Sequence, residues 1–321
     1  MPSLFTNRFN FFFHVSRARN VSCSLITCIL AGCAMRNEIV HVDNEIARNT
    51  AAARGAYTSG NDGKAAAYYR RALGRARAMD SAPEIACNAY NLAVCLAADR
   101  EGRDEALSYL REAQIEFDRA GISAWELPLL EARIARAQSR VGDAVSIARA
   151  QLSEGRNLPP EKLIQWHALM AELMCDQSDL EGAAREIASI NQRQLKKIRA
   201  EIRAEAAAAA ARLHSLNENP ADAAAGYASA AVLWRAASKY EEMAISLNDA
   251  GAAYERVGDK HAAALNYYRS VRSLIESGSA FPFEKALSRG VSLAAELDEA
   301  ELLRQFRHLE EAAQQKGKTG L

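Results

Sequence analysis

Thiols, imidazoles and glycine-rich turns are the usual carriers of chemistry, and this chain of 321 residues holds few of them in workable patterns. Gly317-Lys318-Thr319 has the last letters of a phosphate-binding loop, but no Gly stands five residues before Gly317 and no strand precedes it, so it reads as a polar tail. There is no His-Glu-x-x-His, no Cys-x-x-Cys, no Gly-x-Ser-x-Gly and no dinucleotide fingerprint. Nothing assembles a nucleophile, a base and a stabiliser, so no catalytic, cofactor or metal site is expected. One thiol is set apart by its context. Cys33 closes the only segment built differently from the rest: Met1 to Gly32 contains Arg8, Arg17 and Arg19, no Asp or Glu, and the apolar run from Val21 to Leu30. That is the layout of a secretory signal, and the run is about half the roughly 20 residues a spanning helix needs.

Leu30-Ala31-Gly32-Cys33 resembles the lipobox of bacterial lipoproteins. The resemblance implies that a diacylglyceryl thioether forms on the Cys33 sulfur and that a peptidase cuts just before it. Small residues at 31 and 32 let the backbone lie extended in that peptidase. Each buried CH₂ of the acyl chains contributes about 0.8 kcal/mol to anchoring. Ala34 stands where an Asp would signal inner-membrane retention, so the resemblance leans toward the periplasmic face of the outer membrane. The n-region is long and carries Phe11-Phe12-Phe13, which a translation start nearer Val15 or Val21 would explain.

The whole chain balances 40 basic against 40 acidic residues, with 49% hydrophobic residues, 17 Gly and 7 Pro. Such a composition is globular and helix-favouring, and it has no basic footprint for nucleic acid. Loss of the signal removes three arginines and leaves 37 basic against 40 acidic groups, a net of about −3. Cys87, Cys95 and Cys175 remain. Cys87 and Cys95 are eight apart on one predicted helix, about 12 Å of rise, too far to bridge. All three read as buried small hydrophobes.

The body repeats one pattern. Gly60-Asn-Asp-Gly-Lys-Ala65-Ala-Ala-Tyr68-Tyr69-Arg-Arg-Ala72-Leu73 resembles the middle of a tetratricopeptide repeat. The frame returns at Gly258-Asp259 … Ala263 … Tyr267, preceded by Asn248-Asp-Ala-Gly251-Ala-Ala-Tyr254. Further copies fall at Asn91-Leu92-Ala93 … Ala106, Ala171 … Asp179 … Ala183 and Asn217 … Ala223 … Tyr227. A sixth, Arg140-Val-Gly142-Asp143-Ala144 … Ala148, is shortened in its turn and reads as a helical hairpin only. The Ala opening each second helix stands at 65, 106, 144, 183, 223 and 263, in steps of 41, 38, 39, 40 and 40 residues. The usual step is about 34, so the helices are expected to be a turn or more longer. His167, His214, His261 and His308 are spaced by 47, out of phase with that step, so they share no site.

The resemblance implies an all-α fold, a right-handed superhelix of antiparallel helix pairs that bury one continuous core. The expected organisation is a signal over 1–32, a tether over 33–45, helical repeats over 46–277 and, after the break at Pro282, capping helices (Glu284–Leu297 and Asp298–Gln314) and a tail over 278–321. First helices line a concave groove in such folds. The repeat frame places Arg54, Tyr57, Tyr90, Glu172, Arg212, Asn248, Glu255 and Arg256 toward it, a mixture that suits an extended peptide or partner helix. Repeats that clamp a C-terminal carboxylate use Lys and Asn; Asn91 fits that pattern but its basic partners are missing. The sequence therefore points to a lipid-anchored envelope scaffold binding a protein or peptide, with a non-lipidated cytoplasmic adaptor in regulation as the alternative. Oligomeric state and partner identity stay open.

Overall fold

A computed structural model describes residues 43–154, 158–278 and 282–319. The signal, the lipobox and Cys33 lie outside these residues. Among the described residues fifteen helices run in order: α1 Asn44–Thr58, α2 Asp62–Ala78, α3 Ala82–Ala97, α4 Arg103–Ala120, α5 Glu126–Ala137, α6 Val141–Glu154, α7 Pro160–Asp176, α8 Leu180–Ser189, α9 Gln192–Leu195, α10 Ala200–Leu216, α11 Pro220–Ala236, α12 Tyr240–Val257, α13 Lys260–Ser277, α14 Glu284–Glu296 and α15 Ala300–Thr319. Among the described residues there is no strand. The first helix begins two residues earlier than expected, because Asp43 caps it by accepting from the backbone N–H groups of Glu45 and Ile46.

Outside the α3–α4 pair, the turn within each pair follows one recipe. A residue in the left-handed region ends the first helix, at Gly60, Ser139, Ser178, Glu218, Gly258 and Asp298. The next residue then donates its backbone N–H five residues back, as in Asn61 to Ala56, Arg140 to Ala135, Asp179 to Met174, Asn219 to His214, Asp259 to Tyr254 and Glu299 to Ala294, all at 2.8–3.0 Å. Where that residue is Asn or Asp, its side chain also caps the second helix. Asn61, Asp179, Asn219 and Asp259 accept from the N–H three residues on. Two residues thus close one helix and open the next, which reverses the chain and sets an antiparallel pair.

Each second-helix Ala, at 65, 106, 144, 183, 223 and 263, is wholly buried. A second column runs through the first helices: Ala53, Ala93, Ala132, Ala171 and Ala211 are fully buried, and Gly251 and Gly290 continue the register. Each of these two glycines faces the ring sixteen residues on: a Cβ on Gly251 would sit 3.0 Å from the Tyr267 ring and one on Gly290 would sit 2.2 Å from Phe306 Cζ. Small residues at the crossing let the helices approach, and the aromatic ring fills what remains.

Two expectations are refined. In the copy around 130–152 the turn lies at Ser139-Arg140, and Gly142-Asp143 belongs to the first turn of α6, so this copy is a full helix pair. At the C-terminus, α14 and α15 keep the repeat's turn at Asp298 and its Gly290–Phe306 crossing, so the pair expected as a cap is also a seventh copy. Its core joins α13 through Val271, Ile275, Leu287, Leu293 and Phe306. The helix α15 extends through the first residues expected as tail.

The chain divides into two compact units. One holds α1, α2, most of α3 and the larger part of α4; the other holds the α3–α4 turn, from Leu96 to Leu107, and everything from Trp125 onward. In the first, Arg77 pairs with Glu112 and Arg119 with Asp80, each linking neighbouring repeats. In the second, Arg199 pairs with Glu161 and Lys260 with Glu296, likewise about one repeat apart.

Candidate functional site

All eight residues expected at the groove lie on first helices, three in the first unit and five in the second. Tyr57 on α1 and Tyr90 on α3 are core residues, 6% and 2% exposed, because their rings fill the space between packed helices. They are withdrawn from the candidate surface. Arg54 is exposed on α1, in the first unit. The other five stand on α7, α10 and α12 in the second unit.

There the structure brings together Glu172, Arg212 and residues the sequence reading missed. Arg136 on α5, almost fully buried, contacts the Glu172 carboxylate and lies 2.6 Å from Asp176 on α7. Arg212 on α10 reaches Asp176 at 2.5 Å and donates to the Glu172 carbonyl at 3.2 Å. The arrangement is a ladder that joins three successive first helices. Burial works against the Asp176 charge, yet hydrogen bonds from Arg136 and Arg212 hold its carboxyl below the usual carboxylate range. Deeper in the same layer, Arg133 lies 3.3 Å from the buried Glu205, which also accepts from Gln165 at 3.4 Å. Apart from Arg133 to Glu205, these links are 36–40 residues apart, the repeat step itself, and that spacing is the signal that would have found Arg136 and Asp176.

On α12, Asn248 is half-buried and donates to the neighbouring Asp249 carboxylate at 3.3 Å. Two turns on, Glu255 accepts from Arg289 at 2.8 Å and from the Tyr267 hydroxyl at 3.3 Å. The Arg289 hydrogen bond holds the Glu255 carboxyl below its ordinary value. Arg256 donates to the carbonyl and the hydroxyl of Ser215 at 2.9 and 3.1 Å, tying α12 to α10. Both residues act mainly in joining repeats, with one edge left to solvent.

At the other end of the first helices, Glu126 is 6% exposed in the first turn of α5, and burial pushes its carboxyl up to about 7. Lys162 and Arg199 offset part of that cost, while the Lys162 ammonium lies 4.1 Å above the Trp125 ring. A carboxyl raised on folding contributes stability that is lost as pH rises through its folded value. Glu126→Gln should therefore match the parent near pH 5 and exceed it by on the order of 2–3 kcal/mol near pH 8.5. Urea unfolding at the two pH values checks this; parallel curves for parent and variant at both would refute the assignment.

Cys87, Cys95 and Cys175 are free thiols, with Cys95 and Cys175 buried and Cys87 half-buried. Burial pushes the Cys87 thiol up to about 12, which makes it a poor nucleophile. Among the described residues no group of three His, Cys, Asp or Glu is placed to hold a metal ion, and no helix is long and apolar enough to cross a membrane.

Neither a protein-family model nor a curated protein matches the chain. Among solved structures it is similar to one described as the TPR2AB-domain:pHSP90-complex of yeast Sti1. The match has 15% identity and a TM-score of 0.30, and covers 84% of this chain and 98% of that one. The assignment of helical repeats rests on the chain's own turns and buried columns.

Proposed function

We propose that this chain is a lipid-anchored cell-envelope scaffold that docks a protein or peptide partner on the first helices of its repeat array. The observation that carries the docking role is the surface formed by α7, α10 and α12. Its half-exposed Glu172 and Arg212 are held by neighbours from adjacent repeats and Asn248 by Asp249 beside it, so little side-chain freedom is lost when a partner binds. Aliphatic packing lies beneath it, where the alanine columns are buried beside Leu173, Ile202 and Leu247. Such a surface offers fixed hydrogen-bonding and charged groups along several helices in succession, as an extended ligand requires.

The anchor rests on the sequence alone: a basic, acid-free n-region, a short apolar run and Leu30-Ala31-Gly32-Cys33. The residue after the Cys, Ala34, favours the outer membrane. Free thiols do not argue against an oxidising compartment, because Cys95 and Cys175 are buried and Cys87 is strongly disfavoured as a thiolate. The role proposed is binding, not catalysis, and it involves no nucleic acid.

Intact mass of the protein from membranes, with fractionation beside it, tests the anchor. A chain beginning at Cys33 and carrying acyl mass is the expected result. Cys33→Ala should leave the helical content unchanged and move the protein out of the membrane fraction. An unmodified N-terminus in the cytosolic fraction would discard the anchor and turn the search for partners to a cytoplasmic adaptor.

A further inference from the structure

The charges of the Arg136–Arg212 ladder and the neighbouring Asp249 do not balance. Arg136 and Arg212 face three carboxylates: Glu172, Asp176 and Asp249. Both guanidinium groups are committed, Arg136 to Glu172 and Asp176, Arg212 to Asp176 and the Glu172 carbonyl. Asp249 receives the Asn248 amide and, among the described residues, forms no ion pair within 4.0 Å. The groups that face it are Arg212 from α10, Tyr227 from α11 and Tyr267 from α13. The two tyrosines are themselves raised by burial and stay neutral, so only the distant part of the Arg212 charge reaches the carboxylate. Two arginines against three carboxylates leave one negative charge over.

Part of Asp249 remains exposed. Asp249 is half-buried, and Ala252, one turn further along the same face of α12, is exposed and carries nothing beyond its Cβ. Glu255 and Glu172, to either side, already have their cations, Arg289 and Arg136.

Resting on the docking reading above, we propose that Asp249, with Asn248 beside it, is the seat for one cationic side chain of the partner, a lysine or arginine of an extended peptide lying along the first helices. A guest of charge +1 completes the network and returns a counter-ion to a carboxylate that has lost much of its water. Burial pushes the Asp249 carboxyl up to about 6 in the absence of a guest, so the seat strengthens as pH rises through that value and the carboxyl releases its proton. This ligand is opposite in charge to the C-terminal carboxylate that the missing Lys and Asn pattern would have clamped.

Amide NMR on the mature chain tests it with two probes, the peptide acetyl-Ala-Ala-Arg-Ala-Ala-amide and the same peptide with neutral citrulline in place of arginine. The arginine peptide should shift the amides of Asn248 to Ala252, with apparent affinity about tenfold weaker near pH 5 than near pH 7.5. The citrulline peptide should leave them in place. Asp249→Asn, nearly the same shape, should lose the arginine effect while its melting temperature stays the same or rises. Equal shifts from both peptides, or an unchanged response in Asp249→Asn, would overturn the cationic seat and leave the docking surface standing. No first-helix shift from either peptide would overturn both.

Discussion

Arg136→Met should lower stability at neutral pH by about 3–5 kcal/mol, a loss in melting temperature on the order of 10 °C. Met keeps most of the volume and the apolar contact of the buried stem, so the change isolates the charge. Without the guanidinium, Glu172, Asp176 and Asp249 face Arg212 alone, and Asp176 keeps only one of its two cations. The sign of the pH dependence follows from the depressed Asp176 carboxyl. A carboxyl lowered on folding contributes stability above its unfolded value, and that contribution fades as pH falls through the carboxylate range. The gap between parent and Arg136→Met should therefore narrow as pH drops from about 7 to about 4. Thermal melts followed by circular dichroism at several pH values read this directly. A gap that is small at neutral pH, or that does not change with acid, would mean the ladder is solvated and carries little weight.

The repeat is legible in the sequence because its cause is local. A left-handed residue, a cap and an Ala four positions after the cap are short-range requirements, and in most copies they recur about 40 residues apart. Hence spacing alone marks Ala65, Ala144 and Ala263, and all are fully buried. The turn at Ser139-Arg140 is hidden because Ser replaces Gly at a left-handed position, while Gly142-Asp143 three residues later imitates the usual letters. The seventh copy is hidden for a similar reason: Asp298 stands at the left-handed position and Leu303 where the earlier copies have Ala. The surface is harder to read. Tyr57 and Tyr90 stand at the repeat positions of Glu255 and Asn248, which are half-buried. At such a border position a large aromatic ring is buried where a polar side chain keeps an edge in water. Ion pairs such as Arg136 with Asp176 depend on which helix lies beside which, so they become visible only once the repeat step is fixed and applied to charges as well as to alanines.

One substitution made at three helical glycines of the same unit should give three different results, and the difference tests the crossing column. Gly142 in α6 has open space around the place a Cβ would take, with nothing within 4 Å, so Gly142→Ala should stabilise by up to about 1 kcal/mol through helix propensity. At Gly251 the added carbon would meet the Tyr267 ring at 3.0 Å, close enough for a small shift of the ring to absorb it, and the net effect should be near zero. At Gly290 it would lie 2.2 Å from Phe306 Cζ and 2.6 Å from Cε1. Phe306 is fully buried and meets Tyr268 edge to face with ring centroids 5.6 Å apart, so the ring has no free volume to enter. Gly290→Ala should cost about 1–3 kcal/mol after its propensity gain, and Gly290→Val more, since a branched side chain enlarges the overlap and fits the helix less well. If the crossing is the cause, Phe306→Leu should cost stability alone yet restore part of the loss when combined with Gly290→Ala, because the shorter side chain vacates the space the new methyl needs. Urea unfolding of the single and double variants supplies the coupling energy. Strictly additive losses at 290 and 306, or equal effects at all three glycines, would show that the small-residue column does not set the approach of the helices.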